Sequence, residues 1–325
     1  MNEVIQCLLT RRSVRSYLPK QVEEEKLQEI LLAGTYAASG MGRQSAKIVV
    51  LQDPAQIAQV ERMNAVAAKH PELVYCMDFN QRTNPLYKKV KDLIDSGDLG
   101  EMKRVIWIIT DWYRSQSYYD QGGWRATWDG EGGGVLLNQN PHNLDLWQWM
   151  CGMPKRVKSE VYYGKHRKIE VEDDLYALVE YENGATGCYI TTVGEAPGTN
   201  RLEIDGTNGK IVVENNELTF YRLRTPEPEF NATYKGGLGK PEVWECKIPI
   251  KGTYTSHPGI INNFCDCILK GAKPIAPGAE GIRGLQISNA IHLSSWLNGE
   301  WVDLPVDGDL FLTKLQEHCK KPVTE

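Results

Sequence analysis

From Lys155 to Leu223 the chain alternates apolar and polar residues at period two, in six separate runs. KRVKSEVYY, DLYALVEYE, ATGCYITTV, NRLEIDG, KIVVE and ELTFYRL are divided by turn pairs such as Asn183-Gly184 and Asn208-Gly209. Successive strand side chains point to opposite faces, so each run has one face to cover and one that can meet water. Asn-Gly turns fold such runs back on themselves. The pattern predicts an α/β (α+β) fold: a large open, mostly antiparallel sheet with helices on one face. Helical stretches near 257–270, 279–297 and 309–320 supply the cover. The other face carries Tyr, Ile and Val among polar residues and is a candidate homo-oligomer surface.

Upstream the periodicity changes. DPAQIAQVERMNAVAAKH opens with Asp then Pro, a helix-starting pair, and NPLYKKVKDLIDSGDLG is amphipathic and ends at glycine. KIVVLQ and LVYCMDF are short apolar runs that predict buried strands, joined through the first helix as a βαβ unit. RVIWIITDW predicts another strand. A length of 325 residues suits roughly two domains. The net charge of −5, with no long basic run, argues against nucleic acid as the main partner. No apolar run approaches the roughly 20 residues that span a bilayer, and MNEVIQCLLTRRSVRSY lacks a secretory pattern. The expectation is a cytoplasmic protein without a membrane partner. The eight cysteines include no CxxC pair, which predicts reduced thiols and no metal site.

One stretch, EGGGVLLNQNPHNLDLW (Glu131–Trp147), concentrates chemistry. In a helix starting near Gly133, Asn138, His142 and Asp145 fall at i, i+4 and i+7 on one face. Pro141 predicts a kink just before His142. The three glycines let another backbone or a ligand approach closely. Asp145 is placed to accept a proton from one ring nitrogen of His142, leaving the other as a base. The plainer alternative is a core histidine bonded to a carbonyl.

These residues stand inside a longer resemblance. FNQRTNPLYKKVKDLIDSGDLGE, WRATWDGEGGGVLLNQNPHNLDLWQWMCGMP, EVEDDLYALVEYENGATG, LEIDGTNGKIVVE, SHPGIINNFCDCILKG and LQISNAIHLSSWLNGEWVDLP resemble, from about Val66 on, the substrate domain of the Gfo/Idh/MocA oxidoreductases. The resemblance implies NAD(P)-dependent oxidation of a sugar or cyclitol hydroxyl, with His142 as base and Arg82, Trp124 and Arg125 lining the pocket. Family members usually carry aspartate where Asn138 stands here. An amide can hydrogen-bond a hydroxyl but cannot take its proton, so the base role falls on His142.

The dinucleotide signature G-x-G-x-x-G is absent: Gly130, Gly132 and Gly134 lead to Leu137, and Gly237 and Gly239 lead to Glu242. The family's Glu-Lys-Pro motif is absent too. Instead, RRSVRSY and AASGMGRQ, followed by the strand IVVLQ, resemble the start of an FMN-dependent nitroreductase. In an extended segment Arg11, Ser13 and Arg15 share one side. The resemblance implies that Arg11, Arg12 and Ser13 hold the FMN phosphate, with Arg43 and Gln44 in a loop near the flavin. The expected division is a nitroreductase-like segment over 1–64 and a substrate domain over 65–325, joined near 61–68. Three functions follow as alternatives: an oxidoreductase-derived sugar or cyclitol protein, an FMN flavoprotein, or a non-catalytic sugar-binding or assembly module.

Overall fold

The computed structural model describes residues 56–319, apart from Trp124 and Asp129. Helix α1 (Gln56–Ala68) runs unbroken through the region where the join is expected. A tight 3-10 turn at Asn80–Thr83 leads into α2 (Pro85–Asp95). The start of α2 follows from its sequence. The Asn84 side chain accepts the Leu86 N–H at 3.0 Å, and Pro85 occupies the first turn, where its missing N–H costs nothing.

The chain continues through β1 (Met102–Ile109), α3 (Gln116–Asp120), α4 (Val135–Asn138) and α5 (Pro141–Cys151). Six strands follow: β2 (Arg156–Tyr163), β3 (Glu172–Glu180), β4 (Thr186–Thr192), β5 (Asn200–Gly206), β6 (Gly209–Glu214) and β7 (Glu217–Leu223). Then come α6 (Glu227–Thr233), β8 (Val243–Ile248), α7 (Ser256–Lys270), α8 (Gly281–Trp296), β9 (Val302–Asp303) and α9 (Gly308–Cys319). All nine strands form one sheet in the order β8-β7-β6-β5-β1-β4-β3-β2-β9. Only the β1–β4 pair is parallel. The expected open, mostly antiparallel sheet is therefore what the chain forms.

Helices α5 and α8 cover one face. Val157, Leu175, Ala177, Val105 and Trp107 point into this core, each fully buried. Trp147 of α5 stands edge-on to Tyr189 at 5.4 Å and donates its Nε1–H to the Tyr181 hydroxyl at 2.7 Å. Strand β2 pairs with β9 over only two residues. Beyond them, the Ser159 and Val161 N–H groups donate to the Ser294 and Ser295 hydroxyls of α8, at 2.9 and 3.2 Å. No described element covers the opposite face. Cross-strand neighbours place Tyr176 beside Ile190 and Ile108, and Leu178 beside Cys188 and Ile106. Tyr176 and Leu178 are each 47 % exposed.

One expected strand is not there. LVYCMDF lies outside the sheet, its Cys76 forming a single bridge to Pro277. Met77 donates to the Ala276 carbonyl, and Gly278 donates to the Tyr75 carbonyl. The run is half-buried and serves to pin the loop before α8 rather than to extend a sheet. KIVVLQ, its expected partner in a βαβ unit, falls outside the described residues. No described helix is long and apolar enough to cross a membrane. Cys76, Cys151, Cys188, Cys246, Cys265 and Cys267 are free thiols.

Candidate functional site

The glycine run is explained by a neighbouring backbone. A Cβ on Gly134 would sit 2.0 Å from the Glu172 carbonyl oxygen, so only glycine lets the loop lie against β3. The Glu172 carboxyl then accepts the N–H groups of Gly134 and Leu136, at 2.8 and 3.0 Å, and starts α4. Glu172 is fully buried, and burial pushes its pKa up to about 7.

The single kinked helix expected from Gly133 gives way to two helices. α4 ends at Asn138, and α5 begins with Pro141 in its first turn. Between them Asn140 leaves helical geometry, at φ −106° and ψ 10°, and donates its side-chain N–H to Thr191 Oγ1 of β4 at 2.5 Å. Proline there opens a helix rather than bending one. Asn138 consequently does not share a helix face with His142 and Asp145.

His142 lies in the first turn of α5, half-buried and edge-on to Phe79 at 6.5 Å. Its Nδ1 is buried without a partner, and no described group bonds either ring nitrogen. Burial lowers its pKa, the nearby Asp145 opposes that, and His257 adds to it. The positive end of the helix dipole also favours the uncharged ring. A neutral imidazole with a free nitrogen is a competent proton acceptor near neutral pH.

Asp145 does not orient that ring, contrary to expectation. Its carboxylate is clamped by Arg82, with Nε–Oδ2 at 2.8 Å and Nη2–Oδ1 at 2.6 Å, and both side chains are 1 % exposed. Gln148 also donates to Asp145, at 2.9 Å. Arg82 further reaches Glu280 at 2.6 Å and the Ile275 carbonyl at 3.2 Å. Burial pulls the Arg82 pKa down, but the Asp145 and Glu280 carboxylates outweigh it, so the guanidinium stays charged. Arg82, expected to line a substrate pocket, ties the 80–83 turn to α5 and to the segment before α8. The reason is spatial, since a buried fork-to-carboxylate pair satisfies both charges at once.

Asn138 joins a different network. Its Oδ1 accepts from the Tyr118 hydroxyl at 3.2 Å and from Gln139 at 2.5 Å, and its Nδ2 donates to Glu131. Only one amide hydrogen remains for a ligand. Arg125 donates to Tyr118 Oη at 2.6 Å, with its guanidinium carbon 4.5 Å from that ring's centre. Trp124, Arg11, Arg12, Ser13, Arg43 and Gln44 lie outside the described residues. A cavity of about 350 Å³, lined by Ala67, Leu73, Cys267 and Pro274 among others, contains none of the expected site residues. No described cluster of His, Cys, Asp and Glu could hold a metal ion.

Sequence reasoning missed two groups. Asp78 accepts from His257 Nδ1 at 2.8 Å, and Asn80 donates to Ser256 Oγ and His257 Nε2 at 3.1 and 3.2 Å. Asp78 and His257 are close enough to act on the charge of His142. Ser256 adopts φ +51°, a conformation L-residues avoid outside special sites. The second group is Glu172 with His292, whose Nε2 lies 3.7 Å from the Glu172 carboxyl. Only the pair Glu172-Asp173, charged residues in a run that otherwise alternates, hinted at it.

Comparison with known proteins bears on the fold. A family model described as the GFO/IDH/MocA C-terminal domain matches residues 87–212. That match takes in β1 to β5 and part of β6, so this part of the sheet is similar to that domain. In fold it is similar to the WlbA dehydrogenase from Bordetella pertussis, in complex with NADH and UDP-GlcNAcA: TM-score 0.62, 24 % identity, covering 78 % of this chain and 70 % of that one. The corresponding WlbA complex from Chromobacterium violaceum gives TM-score 0.62 and 26 % identity, covering 78 % of this chain and 69 % of the other. A levoglucosan dehydrogenase with NADH and levoglucosan gives 0.61 and 20 %, over 77 % and 70 %. A nitroreductase family model matches residues 8–125, past residue 64, where the nitroreductase-like segment was expected to end, and overlaps the first match over 87–125. An FMN reductase [NAD(P)H] of Bacillus subtilis (strain 168) is 32 % identical over 88 residues, 25 % of this chain. The chain spans about a third of that relative's length, 34 %.

Proposed function

We propose that the GFO/IDH/MocA-like part of this chain recognises a sugar or cyclitol, and that His142 takes the proton of one substrate hydroxyl. The observation that supports this reading is the ring itself: neutral through burial, with neither nitrogen engaged by a described group. Asn138 adds one amide hydrogen toward a ligand oxygen. Arg82 and Asp145 act beneath them by fixing α5. A nicotinamide, when bound in such enzymes, accepts hydride from carbon. The described residues offer no strand, glycine-rich turn and helix against which a pyrophosphate would rest, so they do not make a dinucleotide site. A hydride acceptor would have to be held outside them, and turnover by this chain alone is not part of the proposal. The division into 1–64 and 65–325 belongs to the same reading.

Calorimetric titration of the full chain with glucose and myo-inositol tests it. Binding should be measurable and should weaken in His142→Ala, because a ligand hydroxyl loses its partner. Equal affinity in the variant would remove His142 from the site. No binding of either compound would favour a non-catalytic assembly module.

A second reading rests on the nitroreductase match and the FMN reductase relative. In it Arg11, Arg12, Ser13 and Gln44 hold FMN between two chains. The absorbance spectrum of the purified protein decides: a visible flavin band supports it, and a colourless protein whose melting point ignores FMN ends it. We also propose that the sheet face opposite α5 and α8, with Tyr176, Leu178, Ile190 and Ile108, pairs two copies. Light scattering should report an oligomer that Leu178→Lys dissociates, and a wild-type monomer at high concentration would contradict this.

A further inference from the structure

The network around Asn138 continues into a pair of arginines that the sugar reading leaves unused. Arg114 and Arg125 both crowd Tyr118, their guanidinium carbons 5.2 and 4.5 Å from its ring centre. Arg114 also lies 5.2 Å from the Trp112 ring. Its Nη1 donates to the Tyr113 carbonyl at 2.9 Å, while its Nε is buried with no partner. No described carboxylate pairs with Arg114. Buried donors are nearly always satisfied, so an orphaned guanidinium N–H asks for a missing acceptor.

The loop is built to hold that arginine in place. Arg167 donates its Nε–H to the Arg114 carbonyl at 2.5 Å, and its other guanidinium nitrogens go to the carbonyls of His166 and Val193. Asp173, buried at the start of β3, is already engaged by the N–H groups of Lys165, His166 and Arg167. Glu131 is engaged by Asn138 and the Ala126 N–H. Two like charges stacked on one tyrosine repel each other, and the ring face offsets this only in part. An oxyanion relieves it, and a guanidinium fork matches carboxylate or phosphate oxygens. The Tyr118 hydroxyl, which accepts from Arg125 and donates to Asn138, sets the pair one side chain away from the proposed hydroxyl site.

We infer that Arg114 and Arg125, spaced by Tyr118, form a subsite for the anionic group of a substrate, so that the sugar recognised here is a sugar acid or a sugar phosphate. This rests on the reading of Asn138 and His142 as a sugar site. Arg167 is a positioning residue that fixes the Arg114 main chain.

The experiment is calorimetry on the full chain with three probes: glucose, glucuronate and glucose 6-phosphate. At least one anionic probe should bind tenfold or more tightly than glucose, and the advantage should shrink at 0.5 M salt, roughly, as ionic contacts do. Whichever of the two anions leads identifies the carboxylate or the phosphate as the natural group. In Arg114→Gln the ratio of anionic to neutral affinity should fall to near one, and Arg114→Lys should recover part of it. Thermal melting of each variant shows whether it is folded, and if Arg114→Gln is not, the ratio in Arg114→Lys against wild type decides alone. Glucose binding as tightly as both anions would overturn the subsite and leave the sugar reading standing. A preference retained in Arg114→Gln would overturn it as well. Failure of all three probes would overturn both.

Discussion

His142 and His292 are both kept neutral by burial, yet their surroundings differ in kind. His292 is 2 % exposed and its pKa is pushed down to about 3. It stacks on Trp296 at 5.3 Å, stands edge-on to Trp128 at 5.7 Å, and its Nδ1 lies 3.1 Å from the Tyr163 hydroxyl. The 3.7 Å approach of its Nε2 to Glu172 is therefore a contact between a neutral ring and a carboxyl, not an ion pair. His142 is half-buried, touches one aromatic ring, and has no described bond to either nitrogen. A depressed pKa marks burial in both. Each ring keeps a nitrogen without a hydrogen-bond partner, Nε2 in His292 and Nδ1 in His142, so what separates the structural histidine from the candidate base is access: His292 is sealed among aromatic rings and His142 is only half-buried.

The comparison can be broken at its foundation first. Arg82→Ala would leave Asp145 buried and unpaired under His142, an expected loss of about 3–5 kcal/mol by urea denaturation. A loss under about 1 kcal/mol would mean that the pair does not hold α5. Next comes the exchange of roles. His292→Ala should cost roughly 2–4 kcal/mol of stability, because it empties an aromatic-lined core position. His142→Ala should cost little stability. In a fusion that places a Rossmann domain upstream of Val66, however, dehydrogenase activity should fall at least a hundredfold in His142→Ala, within the range of about 10²–10⁴ for a lost general base. The reverse pattern, with His142 stabilising and His292 needed for turnover, would invert the assignment.

A subtler effect concerns pH. Folded Glu172 holds its proton up to about pH 7, while an unperturbed glutamate gives it up near 4.5. Its contribution to stability is thus full below 4.5 and lost as pH rises through 7. His292 runs the other way: its folded value of about 3 against 6.5 gives a contribution present above 6.5 and lost toward 3. The two slopes oppose each other between pH 4.5 and 6.5. Glu172→Gln should leave the histidine slope alone, so that stability climbs with pH across that window more steeply than in the wild type. Denaturation curves at several pH values check this, and parallel profiles would show that Glu172 carries no extra proton.

Period-two alternation made strands β2 to β7 legible because it reports one covered face directly, and the closing helices followed from helical spacing. LVYCMDF was misread because a short apolar run looks the same in a strand and in a half-buried tether. β8 escaped notice because its residues are mostly exposed and carry little pattern. The site was legible one residue at a time but not in its pairings. Arg82 and Asp145 are 63 positions apart, and Asp78 and His257 are 179 apart. Local spacing offered Asp145 to His142, and a stronger buried partner took it. The helix break was half visible in Pro141, but the pull of Thr191 on Asn140 was not.

The two serine hydroxyls that engage the outer N–H groups of β2 have a consequence for assembly. They seal one border of the sheet against any incoming strand. At the other border β8 ends the sheet among the described residues, with Val243 and Trp244 each 48 % exposed. A sheet with one closed and one open border can join another copy only open side to open side. Through these two described borders, strand-to-strand association would be self-limiting: it would stop at two copies rather than propagate into a fibre.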